Sequence, residues 1–181
     1  KVKMIVLDDA TDPSTGVKNA RRLVTDDKVD VILGSSTTPI SVAMADVASE
    51  SGTLQIAISP PPLPPGKDTW TFRMAHSATV IAHPMVAHMK RNGVKTVGFL
   101  GYIDAYGESW LKEFGAVAKQ AGLEVTAVER FQRTDTSVTG QALKLVGANT
   151  DAILVVASGS GAAMPHRALV ERGYKGKIYQ T

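Results

Sequence analysis

The chain has 181 residues, 44% of them hydrophobic, so it is long and apolar enough to bury a substantial core. Its net charge of +3 comes from Lys and Arg residues scattered among Asp and Glu, without the basic stripe or aromatic platform that binds nucleic acid. The absence of cysteine excludes disulfides and thiolate chemistry, and no apolar run is long enough to span a bilayer.

Short apolar runs alternate with helical patterns from the first residue, which favours parallel sheets connected by crossover helices. Residues 1–7 predict a first strand, and Asp12-Pro13 predicts the cap and first turn of a helix. Further strands are predicted at residues 29–33 and 54–58. Residues 59–66 then contain five prolines, which disfavour helix and sheet and indicate a stiff, extended connection.

The alternation resumes after residues 70–74, which predict a strand leading into a second unit. We therefore expect two domains, residues 1–72 and 73–181. A helix is predicted at residues 79–91, and another carries Trp110 and Phe114 on an apolar stripe typical of a buried face. The remaining predicted elements are strands at 96–100, 124–128, 152–156 and 177–181, and helices at 138–146 and before Gly173.

The segment Gly34–Pro39 is the most informative candidate for function. Its Gly, Ser and Thr residues follow an apolar strand and precede a helical period, so they predict a loop at a helix N-terminus. The first N–H groups of a helix have no partner within the helix, and together with the helix dipole they attract anions. The same residues are also ordinary helix caps, and this alternative stays open.

Ligands of open parallel sheets bind beyond the carboxyl ends of the strands, where the loops carry the variable residues. Four loops fit this rule, at residues 34–38, 59–63, 102–106 and 157–161. If the two halves face each other across a cleft, these loops suit a small polar molecule with an anionic group and a flat apolar body. The predicted ligand-binding residues are Ser35, Ser36, Thr37, Thr38, Ser59, Pro61, Leu63, Tyr102, Tyr106, Ser158 and Ser160.

Sequence patterns for catalysis are weak. Ser109–Lys112 matches S-x-x-K but lies in a predicted helix beside a core tryptophan and lacks companion motifs. There is no P-loop and no G-x-G-x-x-G after a strand. His76, His83 and His88 lack the spacing of a helical zinc site. We therefore predict no catalytic residue, no metal and no cofactor.

Four stretches, taken in order, resemble the periplasmic substrate-binding proteins of ABC transporters, in the branched-chain amino acid (Leu/Ile/Val-binding) family. They cover essentially the whole chain. These stretches are Leu7–Pro13, Gly34–Pro39, Asp104–Glu108 and Arg172–Gly176.

The resemblance implies the type I periplasmic binding protein fold, which is α/β with two doubly wound parallel-sheet lobes, each incomplete in this chain. It implies that the lobes close on a ligand whose carboxylate and amino group are held by the loops at residues 35–38 and 59–63. In this resemblance Tyr106 matches a tyrosine that contacts the ligand, and Ser160 lies near another contact. Family members are longer at both ends, so we expect this chain to be a fragment.

The resemblance further implies a periplasmic location, a small carboxylate ligand and a membrane ABC permease as partners, without nucleic acid and without insertion into the membrane. The proline-rich loop departs from the Ala, Ser and Thr residues usual in the family and is closer to subfamilies that transport aromatic or other organic acids. Amino acids and aromatic carboxylates therefore both remain candidate ligands. A ligand-sensing ectodomain and a doubly wound α/β enzyme remain alternative functions.

Overall fold

A computed structural model describes residues 1–181, and its helices and strands alternate along the chain. The chain divides into two units, Lys1–His76 and Ser77–Thr181, each with its own parallel sheet. No helix combines the length and the apolar character needed to cross a membrane. The helices are α1 (Pro13–Thr25), α2 (Thr38–Ser51), α3 (Ala78–Arg91), α4 (Ala105–Gln120), α5 (Thr139–Gly147) and α6 (Ser160–Glu171). The strands are β1 (Val31–Leu33), β2 (Leu54–Ala57), β3 (Thr71–Arg73), β4 (Thr96–Tyr102), β5 (Glu124–Phe131), β6 (Ala152–Val156) and β7 (Lys177–Gln180).

The first unit is a three-stranded parallel sheet in the order β1-β2-β3, with α1 and α2 on one face. Alternation along the strands turns Ile32 toward a core shared with Ala20 of α1 and Ile40 of α2. The residues on either side of Ile32 are exposed, as is Phe72 of β3, which is 62% exposed. Only one face of this sheet is therefore covered by helices.

The strand predicted at residues 1–7 is wrong. This segment forms no sheet pairing, and Val2 and Val6 are 99% and 79% exposed. A cavity of about 660 Å³ lies beside it, lined both by residues 2–7 and by residues 29–33 of the β1 region. Strands pair only at about 4.8 Å from each other, so a segment separated from β1 by this cavity has no ladder to join.

The second unit is a four-stranded parallel sheet in the order β5-β4-β6-β7. Helices α3 and α4 pack on one face, where Phe99, Trp110 and Phe114 are buried. Helices α5 and α6 pack on the other face, around Leu145 and Leu169. This unit is therefore doubly wound, as the sequence predicts.

The strand order of the second unit reverses at β4. The chain moves from β4 to β5 on one side and then returns to β6 on the other side of β4. The connection after β4 enters α4 on one face, while the connection after β6 enters α6 on the opposite face. Such a reversal opens a crevice at the carboxyl ends of the two strands, which is where ligands bind in this class of sheet.

Candidate ligand-binding site

The Gly34–Thr38 loop of the first unit connects β1 to α2, as the sequence predicts. Thr37 is the N-cap of α2, but its side chain makes no capping hydrogen bond, and Pro39 occupies the first turn. The first N–H groups of α2 are therefore not satisfied by their own cap residue. A helix N-terminus in this condition offers donors and a positive dipole end to an anion.

Two neighbouring serines in this loop have different environments. Ser35 is buried, and its hydroxyl donates to Asp9 Oδ2 at 2.8 Å and accepts from the Thr37 N–H at 3.2 Å. The main-chain oxygen of Ser35 accepts a hydrogen bond from the Ser41 hydroxyl at 2.9 Å. Ser36 is exposed and makes no side-chain hydrogen bond within the protein. Ser35 thus holds the loop in shape, while Ser36 keeps its hydroxyl for another partner.

A buried polar network supports this loop from beneath, and sequence reasoning missed it. Gln55 of β2 is fully buried, and its Nε2 donates to the carbonyl oxygens of Gly34 at 3.1 Å and Ser41 at 3.2 Å. Its Oε1 accepts from the Thr71 hydroxyl at 3.0 Å. The Ser59 hydroxyl completes the network by donating to Ser41 Oγ at 2.8 Å. The signal in the sequence was a glutamine inside the apolar run of β2.

The proline-rich loop is fixed by one arginine. Arg73 Nε donates to the Pro61 carbonyl at 2.9 Å, and Nη2 donates to the Leu63 carbonyl at 3.4 Å. Nη1 of the same side chain donates to Asp68 Oδ2 at 3.3 Å. The main-chain oxygens of Pro61 and Leu63 therefore already have partners. The prolines predict an extended connection, but the Leu63 N–H closes a tight turn by donating to the Pro61 carbonyl at 2.9 Å. Thr38, also predicted as a site residue, is buried at the start of α2.

Tyr102 and Ser158 come together at the reversal point of the second sheet. Tyr102 ends β4 and is buried, and its hydroxyl donates to the Ser158 carbonyl at 3.3 Å. Ser158 follows β6 and is exposed. A side chain at Gly161 would collide with the Tyr102 hydroxyl, so glycine permits this close approach of α6. Ser160, the first residue of α6, is exposed.

Tyr106 lies in the first turn of α4, whose N-cap is Asp104. The Asp104 carboxylate accepts hydrogen bonds from the N–H groups of Tyr106 at 2.8 Å and Gly107 at 3.2 Å. The Tyr106 ring is half-buried, and its hydroxyl donates to Thr181 Oγ1 at 2.8 Å. Burial raises the pKa of the Tyr106 phenol above its ordinary value, and the bond to Thr181 opposes this effect. Tyr106 is therefore a neutral group with an apolar ring at neutral pH.

Arg133 is a further charged residue at this edge, and no sequence motif pointed to it. Its Nε donates to Asp104 Oδ2 at 2.7 Å, and its guanidinium lies 4.1 Å from the centre of the Tyr102 ring. Its Nη1 donates to Ser158 Oγ at 3.4 Å. The Arg133 guanidinium, the Tyr102 ring and Ser158 therefore meet beyond the ends of three neighbouring strands.

The candidate residues form two groups, one in each unit. In the first unit the network joins Ser35, Thr37 and Ser59, while in the second unit Tyr102 contacts Ser158. These groups supply hydroxyl, main-chain N–H and guanidinium donors, which suit an oxygen-rich ligand.

A family model described as periplasmic binding protein matches residues 1–181. The chain belongs to the periplasmic binding protein family. An extracellular ligand-binding receptor from Rhodopseudomonas palustris HaA2 is 50% identical, with a TM-score of 0.96 over 98% of this chain and 50% of that chain. The fold and the family resemblance predicted from the sequence are confirmed. A search of the curated proteins gives no match.

Two more distant solved structures share the fold. A solute-binding protein of an R. palustris ABC transporter, solved with benzoate, is 19% identical with a TM-score of 0.82, covering 96% of this chain and 49% of that one. A leucine-binding protein from Thermotoga maritima is 20% identical with a TM-score of 0.89, covering 99% and 52%. The chain thus spans about half the length of the solved proteins that it matches.

Proposed function

We propose that this chain forms part of an extracytoplasmic solute-binding protein that captures a small carboxylate-bearing ligand and delivers it to an ABC permease. The two groups of candidate residues would contact the ligand from the two units, which would close on it. Ligand contacts with both units would stabilise the closed state, since a ligand shifts an equilibrium by its difference in affinity for the two states.

The observation that carries this proposal is the uncapped N-terminus of α2 beside the unpartnered Ser36 hydroxyl. Hydrogen bonds to an ionised group are about twice as strong as those between neutral groups, so these donors favour a carboxylate. Family membership and the similarity to an extracellular ligand-binding receptor support a binding role. The choice of a carboxylate ligand rests on the loop geometry.

The second unit supports a ligand with an apolar body. Tyr106 presents a half-buried ring whose hydroxyl already bonds Thr181, and Ile103 beside it is 58% exposed. Aromatic and aliphatic side chains of this kind contribute apolar contact area in ligand sites. Both aromatic carboxylates and apolar amino acids match this combination of donors and rings.

Calorimetric titration of the full-length natural protein tests the proposal. The panel consists of apolar amino acids and aryl carboxylates, with the corresponding amides as uncharged controls. We expect a carboxylate to bind and its amide to bind at least about tenfold more weakly, because the anion gains charge-assisted bonds. Absence of heat with every carboxylate, or equal affinity for acid and amide, would contradict the proposal.

A direct test separates binding from catalysis. The ligand recovered from the complex should be chemically unchanged, and Ser36→Ala and Ser160→Ala should alter affinity without revealing any turnover. Mass spectrometry of the ligand before and after incubation gives the measurement. Conversion of the ligand by the natural protein, lost in either variant, would instead establish an enzyme.

A further inference from the structure

Arg133 occupies the carboxyl edge of the second sheet, between the ends of three neighbouring strands. It follows β5 by two residues, and it contacts Tyr102 at the end of β4 and Ser158 after β6. Since β4 lies between β5 and β6, these contacts place the guanidinium at the point where the sheet order reverses. This is the crevice in which open α/β sheets bind ligands.

The guanidinium is held in place before any ligand arrives. Its Nε donates to Asp104 Oδ2 at 2.7 Å, its Cζ lies 4.1 Å from the Tyr102 ring centre, and only 22% of the side chain is exposed. An arginine restrained in this way has already lost most of its rotamer freedom. A ligand that binds it consequently pays little additional ordering entropy.

Asp104 does not remove the positive character of this position. Its carboxylate also accepts the N–H groups of Tyr106 and Gly107 at the start of α4, so it faces a helix N-terminus as well as Arg133. The Asp104 carboxylate therefore faces two positive poles, the guanidinium and the end of the helix dipole. Asp104 alone does not neutralise both of them.

Arg133 also keeps hydrogen-bond donors free. Its Nε and Nη1 bond Asp104 and Ser158, but Nη2 has no partner in the protein and is not among the buried unpaired atoms. Arg73 provides the contrast, because all three of its nitrogens bond protein oxygens in the proline-rich loop. Arg73 is thus committed to structure, whereas Arg133 retains part of its donor fork.

We propose that Arg133 binds a second acidic group of the ligand, so that the protein prefers dicarboxylates to monocarboxylates. This inference rests on the proposed solute-binding function, in which the first carboxylate binds at the N-terminus of α2. Arg133 then determines specificity for the second acidic group. Tyr102 beneath the guanidinium and Asp104 beside it act as positioning residues.

The test compares matched acids on the full-length natural protein by calorimetry. Terephthalate is compared with 4-methylbenzoate, and glutarate with pentanoate, since each pair differs mainly by one carboxylate. We expect the diacid of at least one pair to bind about tenfold or more tightly, as a charge-assisted pair would give. Arg133→Gln should weaken the diacid about 10- to 100-fold and change the monoacid less than about threefold.

Matched variants separate specificity from general damage. Arg130→Gln removes a neighbouring arginine that forms an exposed ion pair with Glu108, and it should leave both affinities unchanged. Arg133→Lys keeps the charge without the planar fork and should retain only part of the preference. The preference for the diacid over the monoacid is measured on the natural protein itself. That measurement tests the proposal even if Arg133→Gln fails to fold.

The outcomes are distinguishable. Equal or tighter binding of the monoacids would overturn the role of Arg133 while leaving the solute-binding function intact. An equal loss for both acids in Arg133→Gln would also overturn it, because the residue would then serve structure alone. Failure of every acid to bind would overturn both the inference and the proposed function.

Discussion

Replacing Gly107 by alanine should destabilise the second unit more than any ordinary helix substitution. A Cβ atom at Gly107 would collide with the main-chain carbonyl oxygen of Tyr102, which cannot rotate away as a side chain would. Overpacking of this kind costs about 3 kcal/mol, and the better helix propensity of alanine returns about 1 kcal/mol. We therefore expect Gly107→Ala to lower the free energy of unfolding by about 2 kcal/mol.

Gly115 in the same helix is the matched control. A Cβ atom there would meet nothing within 4 Å, so no collision opposes the higher helix propensity of alanine. Gly115→Ala should therefore raise the free energy of unfolding by about 1 kcal/mol. Urea unfolding, monitored by circular dichroism, measures the stability of both variants. An unchanged slope of unfolding free energy against urea concentration shows that the two values can be compared. Two identical substitutions in α4 should thus differ by about 3 kcal/mol. If Gly107→Ala were as stable as Gly115→Ala, α4 would not approach β4 as described, and Tyr106 would be misplaced.

Three further substitutions test other parts of the structure. Ser36→Ala should weaken an anionic ligand by about 1 to 3 kcal/mol in calorimetry with little change in stability, whereas Ser35→Ala should lower the unfolding free energy by about 1 kcal/mol. The reverse pattern would contradict the division of roles between the two serines. Gln55→Leu should cost about 3 kcal/mol in urea unfolding, because it leaves buried carbonyl and hydroxyl groups unpaired, and a neutral result would refute the network. Burial raises the pKa of Glu113, but hydrogen bonds from Thr79 and Ser109 outweigh it and leave the pKa below its ordinary value of 4.5. The resulting stability is present above pH 4.5 and is lost as the pH falls through the lower folded pKa, so the deficit of Glu113→Gln, measured by unfolding at several pH values, should shrink in acid.

Local patterns in the sequence were sufficient to predict the loop at Gly34–Thr38. The apolar run of β1 favours a strand, Pro39 favours the first turn of a helix, and both signals lie within a few residues of the loop. The buried stripe of α4 was predicted for the same reason, since Trp110 and Phe114 repeat at helical spacing. Structural features that are set by residues close together in the chain can therefore be predicted from the sequence.

Features that depend on distant neighbours were not readable. Residues 1–7 have the apolar alternation of a strand, but pairing requires an adjacent strand at the correct distance, and a cavity lies there instead. Arg133 and Asp104 are 29 residues apart, and Gln55 lies 21 residues from the carbonyl of Gly34. Local patterns in a single sequence do not indicate such long-range contacts. The polar network around Gln55 and the position of Arg133 could therefore be identified only from the folded structure.

The two units gather their candidate residues by different physical means. The strand order of the second sheet reverses at β4, which brings Tyr102, Ser158 and Arg133 to one edge, and Gly161 allows the close approach of α6. The β1-β2-β3 sheet has no such reversal, and the buried amide of Gln55 ties its loops together instead. Loss of the Gln55 hydrogen bonds should therefore disturb the loops of the first unit, whereas added volume at Gly161 should disturb the edge of the second sheet. The proposed function uses donors from both units, so either change should weaken binding even when the other unit remains intact.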